Sequence, residues 1–213
     1  MIWEISKFIA IHHVGVSSTN YALEYLGFDS KSCEIAARNF WCFLFSIFFT
    51  YCGIFWYIHK LRQGLLGYFL SDLALIFRIK QFNTLETWMH HVLGITLVCM
   101  GMVDASYYRQ YATITFGGIG EFSNVLLSIT DTFKNIPKLQ KRYPTINTVA
   151  QILFGLSFIS LRVGLYTYTF IRHRASANIV EYYTTLAFIL LQYYWFYIIL
   201  RRLLRKCLKK NTS

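Results

Sequence analysis

Trp88-Met89-His90-His91-Val92-Leu93-Gly94-Ile95-Thr96-Leu97-Val98-Cys99-Met100-Gly101-Met102-Val103 is an apolar run opened by two adjacent histidines. Its length approaches the roughly 20 residues that carry an α-helix across a hydrocarbon core of about 30 Å. Comparable runs recur near 39–58, 64–79, 111–129, 148–170 and 180–200. Asp72, Glu121 and Arg162 lie inside three of them. A charge at the centre of a spanning helix costs roughly 2.5–3.5 kcal/mol on the insertion scale, so these groups must face one another or a wet interior. The pattern predicts an all-α integral membrane protein, a bundle of about six transmembrane helices whose interior holds the polar residues.

Composition agrees with that class. The chain has 213 residues, 55% hydrophobic, 19% aromatic and only 15% charged, with a mean hydropathy of +0.40. An ordinary soluble domain carries about 25% charged residues. Residues 1–38 stand apart as an N-terminal arm: Trp3, Phe8 and Ile9 alternate with Glu4, Lys7, His12 and His13, without the basic start and unbroken apolar stretch of a signal peptide. An interfacial helix and a soluble arm are both open readings for it. Residues 39–205 form the transmembrane domain and 206–213 a basic tail.

Charge sets the expected topology. With six spans, Lys7, Lys31, Arg38, Arg78, Lys80, Lys134, Lys138, Lys141, Arg142 and the tail residues Arg201, Arg202, Arg205, Lys206, Lys209 and Lys210 share one side. That side holds 15 basic residues against 5 opposite, namely Lys60, Arg62, Arg109, Arg172 and Arg174. The positive-inside rule assigns the richer side, and both termini, to the cytosol or the mitochondrial matrix. The net charge of +11 therefore reflects topology and attraction to anionic lipid, and no nucleic-acid partner is expected.

Several chemistries lack support. Cys33, Cys42, Cys52, Cys99 and Cys207 form no C-x-x-C pair, so neither a disulfide framework nor a cysteine metal site is expected. Adjacent histidines are not the spacing at which one helix presents two metal ligands, and no metal is expected. Gly117-Gly118-Ile119-Gly120 lies within an apolar run and reads as close helix packing rather than a phosphate loop.

The polar residues fall on stripes. Gly117, Glu121, Asn124 and Ser128 step by four, three and four along one helix face. Gln151, Gly155, Phe158, Arg162 and Tyr166 do the same one span later. Glu121 and Arg162 are natural partners, either as a buried pair that fixes helix packing with Gly117 and Gly155 permitting close approach, or as part of a ligand site. His90 and His91 differ by about 100° around their helix, so one ring can orient while the other reacts. Asp72 and Glu121 are the carboxylates available to them.

These residues, taken in order, carry a resemblance. Gly67-Tyr68-Phe69-Leu70-Ser71-Asp72-Leu73, Met89-His90-His91, Gly120-Glu121-Phe122-Ser123-Asn124, Phe158-Ile159-Ser160-Leu161-Arg162 and Gln192-Tyr193-Tyr194-Trp195-Phe196 resemble the TLC domain. That is the family of ceramide synthases, the translocating-chain-associated membrane protein and several lipid-regulating relatives. The resemblance implies a helix bundle around a lipid-accessible cavity, with the histidine pair and Glu121 near its polar end. Ceramide synthases follow the pair with a His-Asp and a further Asp; here the aligned residues are Gly120-Glu121 and Asn124. The chain looks more like the small TLC domain-containing lipid regulators.

Three functions follow as expectations. The first is a non-catalytic regulator of membrane lipid composition that binds lipid through Asp72, His90, His91, Glu121, Asn124, Arg162 and Gln192. The second is an acyltransferase of ceramide-synthase type with acyl-CoA as substrate and no cofactor, using His90, His91 and Glu121. The third is a structural subunit of a larger membrane protein complex. The endoplasmic reticulum is the expected membrane, with the mitochondrial inner membrane as the alternative.

Overall fold

A computed structural model describes residues 2–79, 82–103 and 107–210. The side chains of Tyr107, Tyr108, Leu203 and 205–210 are outside that description, and so the expectations on Lys80, Cys207 and the end of the tail fall outside it too. The described residues are helical with no strand among them. Helices α1 (Ile2–Tyr25), α2 (Ser30–Ile54), α3 (Ile58–Arg78) and α4 (Leu85–Val103) come first. A broken helical unit then runs through α5 (Tyr107–Ala112), a π turn (Thr113–Gly118), a 3-10 turn (Ile119–Glu121) and α6 (Phe122–Asn135). The short α7 (Pro137–Arg142) leads into α8 (Pro144–Ser157), a second π segment (Phe158–Leu165) and α9 (Tyr166–His173), and α10 (Ile179–Lys210) closes the chain.

Three helical stretches, Ser30–Ile54, Pro144–Ser176 and Ile179–Arg202, are long and apolar enough to cross a membrane. Their apolar residues are only partly used inside the bundle: Ile146, Val149, Ile152, Leu153, Leu156 and Ile159 all point outward from the α8 unit. So wide an apolar exterior belongs to a lipid-facing surface rather than to water.

α2 is the central post and packs against α1, α6 and the first π turn. Its buried stripe Arg38, Cys42, Phe45, Phe49 and Cys52 follows the spacing of one helix face. Phe45 and Phe49 join Tyr68, Phe69, Leu61 and Leu65 of α3 in the largest aromatic core. α2 and the 113–118 turn meet backbone to backbone: a Cβ added to Gly118 would lie 2.6 Å from the Gly53 Cα. The expectation that the Gly117–Gly120 segment marks close packing is met at this contact. Gly155, expected to play the same part, has nothing within 4 Å of its added Cβ. The surface around it is open, so its missing side chain admits no neighbour.

The line drawn after residue 38 falls inside α2, because Asp29 starts that helix. Its carboxylate accepts the Ser32 backbone N–H at 3.0 Å as an N-cap. The arm before it is helical and docked on the bundle. His12 is fully buried, hydrogen-bonded through Nδ1 to Ser71 Oγ at 2.7 Å, and edge-on to Phe45 and Tyr68. Trp41 Nε1 donates to Thr19 Oγ1 at 3.0 Å.

Asp29 also gives a pH dependence. The Ser32 hydrogen bonds hold its carboxyl below the usual carboxylate range. A depressed folded value stabilises the helix start above the unfolded pKa, about 3.9, and that contribution disappears as pH falls through the folded value. Protection of the amides at 30–34, taken relative to their intrinsic exchange rates, should therefore fall in acid in the native protein and be already low, and less pH-sensitive, in Asp29→Ala. An identical acid response in both proteins would remove the cap from the account.

Candidate functional site

Two buried ion-pair clusters face one cavity. In the first, Arg38 of α2 donates Nε–H to Asp72 Oδ1 at 2.9 Å and Nη2–H to Oδ2 at 2.5 Å. Asp72 has no exposed surface. His91 of α4 closes on the same carboxylate, its Nε2 lying 2.9 Å from Oδ2, while its Nδ1 lies 2.8 Å from the Thr87 carbonyl oxygen. The bidentate arginine fixes Asp72 as a carboxylate, and a backbone carbonyl only accepts. Both ring nitrogens of His91 thus face oxygen atoms, one of Asp72 and one of the Thr87 carbonyl, and the ring ties α4 to the Arg38–Asp72 pair.

The second cluster is centred on Arg162, which the 158–165 π segment delivers to the interior at 2% exposure. Its Nε donates to Ser123 Oγ at 2.6 Å, Nη1 to Gln192 Oε1 at 3.3 Å, and Nη2 to Glu121 Oε1 at 3.4 Å. The other Glu121 oxygen accepts from Asn124 Nδ2 at 2.7 Å. The expected Glu121 and Arg162 contact is present, but Ser123 holds the arginine more closely. Gly120 keeps the adjoining turn tight, since an added Cβ there would sit 1.9 Å from the Tyr166 hydroxyl, which donates to the Phe116 carbonyl. Gln151, expected to share Arg162's face, is exposed and donates instead to Asn147 Oδ1. The π segment between them rotates the face away, because i→i+5 bonding places more residues in each turn.

His90 is treated differently from its neighbour. It is 8% exposed, stacks on Phe188 with ring centroids 5.2 Å apart, and lies 5.3 Å from Trp195. Its buried Nδ1 has no hydrogen-bond partner. Of His90, His91 and Glu121, only His90 carries a ring nitrogen free to meet a ligand.

The cavity has a volume of about 550 Å³. Arg38, Asn39, Asp72, His90, His91, Asn124 and Arg162 form polar parts of its lining, and Phe69, Phe82, Leu127, Phe154, Phe158, Trp195, Ile198 and Ile199 its apolar walls. Lys134, Asp131 and Arg202 also border it. Glu121 and Gln192 reach it through Arg162. The volume and the mix of apolar wall with few convergent polar groups suit a small-molecule or lipid site. A larger, more open groove of about 780 Å³, bordered by Trp56, Tyr111, Tyr168 and Arg172, touches neither ion-pair cluster.

Three residues of this region were not anticipated as site members. In the sequence Arg38 reads as a topology signal, Asn39 as the start of an apolar run and Ser123 only as part of the Gly120–Asn124 motif. The i, i+4 step from Arg38 to Cys42, continuing to Phe45, is the signal that places Arg38 on the inner face of α2. His12, Cys42 and Asp72 also offer ligand atoms within 4.8 Å of one another. Asp72 is already held by Arg38 and His91, so a divalent ion there would meet repulsion from the Arg38 guanidinium.

An all-helical protein with membrane-length apolar helices and an ion-paired core is a polytopic membrane protein in class. More particularly, the chain matches the TLC domain model over residues 60–201 and belongs to that family. No curated protein and no solved structure matches it. The match begins in α3, so Arg38 and Asn39 enter the site from outside the matched segment.

Proposed function

We propose that this TLC protein binds a membrane lipid in the cavity between its two ion-pair clusters and regulates membrane lipid composition through that binding. The observation that carries the reading is the cavity itself: apolar walls of chain-binding character end in a set of buried charges. TLC membership adds the general association of the family with lipid. Six spans, formed by α2, α3, α4, the 107–135 unit, the 144–173 unit and α10, fit this use. Phe82 and Thr84 of the second loop, Lys134 near the fourth and Arg202 of the tail border the same cavity, which supports the charge-based assignment of those segments to one side. The cavity then opens toward the cytosolic leaflet. The endoplasmic reticulum is the membrane this reading assigns.

The test is native mass spectrometry of the full chain extracted in mild detergent, with lipid identification, beside the variant Leu127→Trp that fills the cavity wall. A defined lipid should co-purify with the native chain and be depleted in the variant. A lipid-free chain, or a chain found only within a very large assembly, would overturn lipid regulation in favour of a structural subunit. Acyl transfer is the second reading, favoured by the free Nδ1 of His90 at the cavity wall; turnover of acyl-CoA that is lost in His90→Phe would select it.

A further inference from the structure

α2 ends on a residue that its backbone conformation disfavours. The Trp56 N–H donates to the Gly53 carbonyl at 3.4 Å and the Tyr57 N–H to the Cys52 carbonyl at 2.9 Å, the paired bonds of a Schellman ending. Trp56 fills its left-handed position at φ 59°, where glycine is the usual occupant and any residue with a Cβ is strained. It is the one non-glycine residue at positive φ among the described residues. Core packing does not account for the choice, since Trp56 is 51% exposed. Strained residues gather at ligand clamps, where a demand on the side chain offsets the backbone cost.

The indole borders the groove of about 780 Å³, a volume within the range of small-ligand sites. It meets Tyr111 edge-on with ring centroids 5.5 Å apart, and His173 stacks on Tyr111 at 4.6 Å. That aromatic wall is therefore fixed before a ligand arrives. Tyr168 and Arg172, both exposed and four residues apart on one face of α9, border the same groove. Among the described residues that line it there is no carboxylate and no side-chain amide.

This lining selects a chemistry. Aromatic faces attract a quaternary ammonium, and a guanidinium matches a phosphate. A bare cation meets repulsion from Arg172, and a bare anion leaves the aromatic wall unused. A sugar, with many hydroxyls to satisfy, finds neither carboxylates nor amides among these residues. The groove opens at the C-terminal end of α2, about 25 Å along that helix from Arg38 by its rise per residue, which approaches the thickness of a hydrocarbon core.

We infer that this groove is a second ligand site, for a phosphocholine group, with the trimethylammonium against Trp56 and Tyr168 and the phosphate on Arg172. It stands at the opposite end of α2 from the Arg38–Asp72 pair and does not depend on what the first cavity holds.

The experiment measures binding of glycerophosphocholine, glycerophosphoethanolamine and glycerol 3-phosphate to the full chain in dodecyl maltoside, read by ligand-observed NMR. Glycerophosphocholine should bind about fivefold or more tightly than the other two, the scale of one cation–π contact. Trp56→Gly should abolish that preference while glycerol 3-phosphate binding and the melting temperature are kept or raised, because glycine relieves the strained position. Arg172→Gln should weaken all three probes. Repeating the titration in nanodiscs of phosphatidylcholine distinguishes the sources: loss of glycerophosphocholine binding assigns the group to a bilayer lipid, and unchanged binding assigns it to a soluble ester. Equal binding of the three probes, or no binding of glycerophosphocholine, overturns the site. A Trp56→Gly protein that melts lower yet keeps the preference would show that the indole serves packing alone.

Discussion

Asp72→Asn is expected to cost about 3–5 kcal/mol of folding free energy, the range for removing one member of a buried ion pair. A membrane protein cannot send the remaining charge to water without dismantling the bundle, and Arg38 cannot lose its proton. Typical total stabilities are about 5–15 kcal/mol, so this single change takes a large share. It acts on three helices at once, because Asp72 of α3 holds Arg38 of α2 and His91 of α4. The measurement is thermal unfolding of detergent-solubilised protein followed by monodispersity. The double variant Arg38→Leu with Asp72→Leu should regain most of the loss, since it removes both charges. Equal losses in the single and double variants would show that shape, not charge, holds these helices together.

The sequence made the helical class legible because apolar runs of membrane length and sparse charge are written directly in residue order. It also singled out Asp72, His90, His91, Glu121, Asn124 and Arg162, and these meet at one cavity, directly or through Arg162. The reason is energetic: a charged residue inside an apolar run has few places to go. Arg38 and Asn39 escaped because they sit at the edge of such a run, where a basic residue reads equally well as an interfacial anchor. Their burial depends on α2 beginning nine residues earlier, at Ser30, and on α1 covering its flank. The two π segments were illegible for another reason. Their residues form good α-helix, and only tertiary demands, the Gly53 contact at Gly118 and the Arg162 cluster, reward the extra residue per turn. That is why Gln151 lost its expected place beside Arg162.

The difference between the histidines joins packing to function. His91 is engaged at both ring nitrogens, by Asp72 and by the Thr87 carbonyl oxygen, whereas His90 stacks on Phe188 with its buried Nδ1 unpartnered. One residue of the pair therefore ties the helices together at the site and the other meets what enters it.

Glu121→Leu is expected to damage folding more than Arg162→Leu, an asymmetry that simple pairing does not contain. Removing Arg162 leaves a carboxyl that keeps its Asn124 hydrogen bond and can neutralise itself by binding a proton, for a loss of about 1–3 kcal/mol. Removing Glu121 leaves a guanidinium at 2% exposure whose remaining partners, Ser123 and Gln192, are neutral. That charge cannot be discharged, and the loss should reach about 3–5 kcal/mol. With both replaced by Leu, the penalty of a lone charge vanishes and stability should return to within about 1–2 kcal/mol of the native protein, as when buried pairs elsewhere are exchanged for apolar residues. Unfolding of the two single variants and the double variant, measured in one detergent, separates these cases. If Arg162→Leu proves the more harmful, or if the double variant is as poor as the worse single one, Arg162 is held for its bonds to Ser123 and Gln192 and not for its charge opposite Glu121.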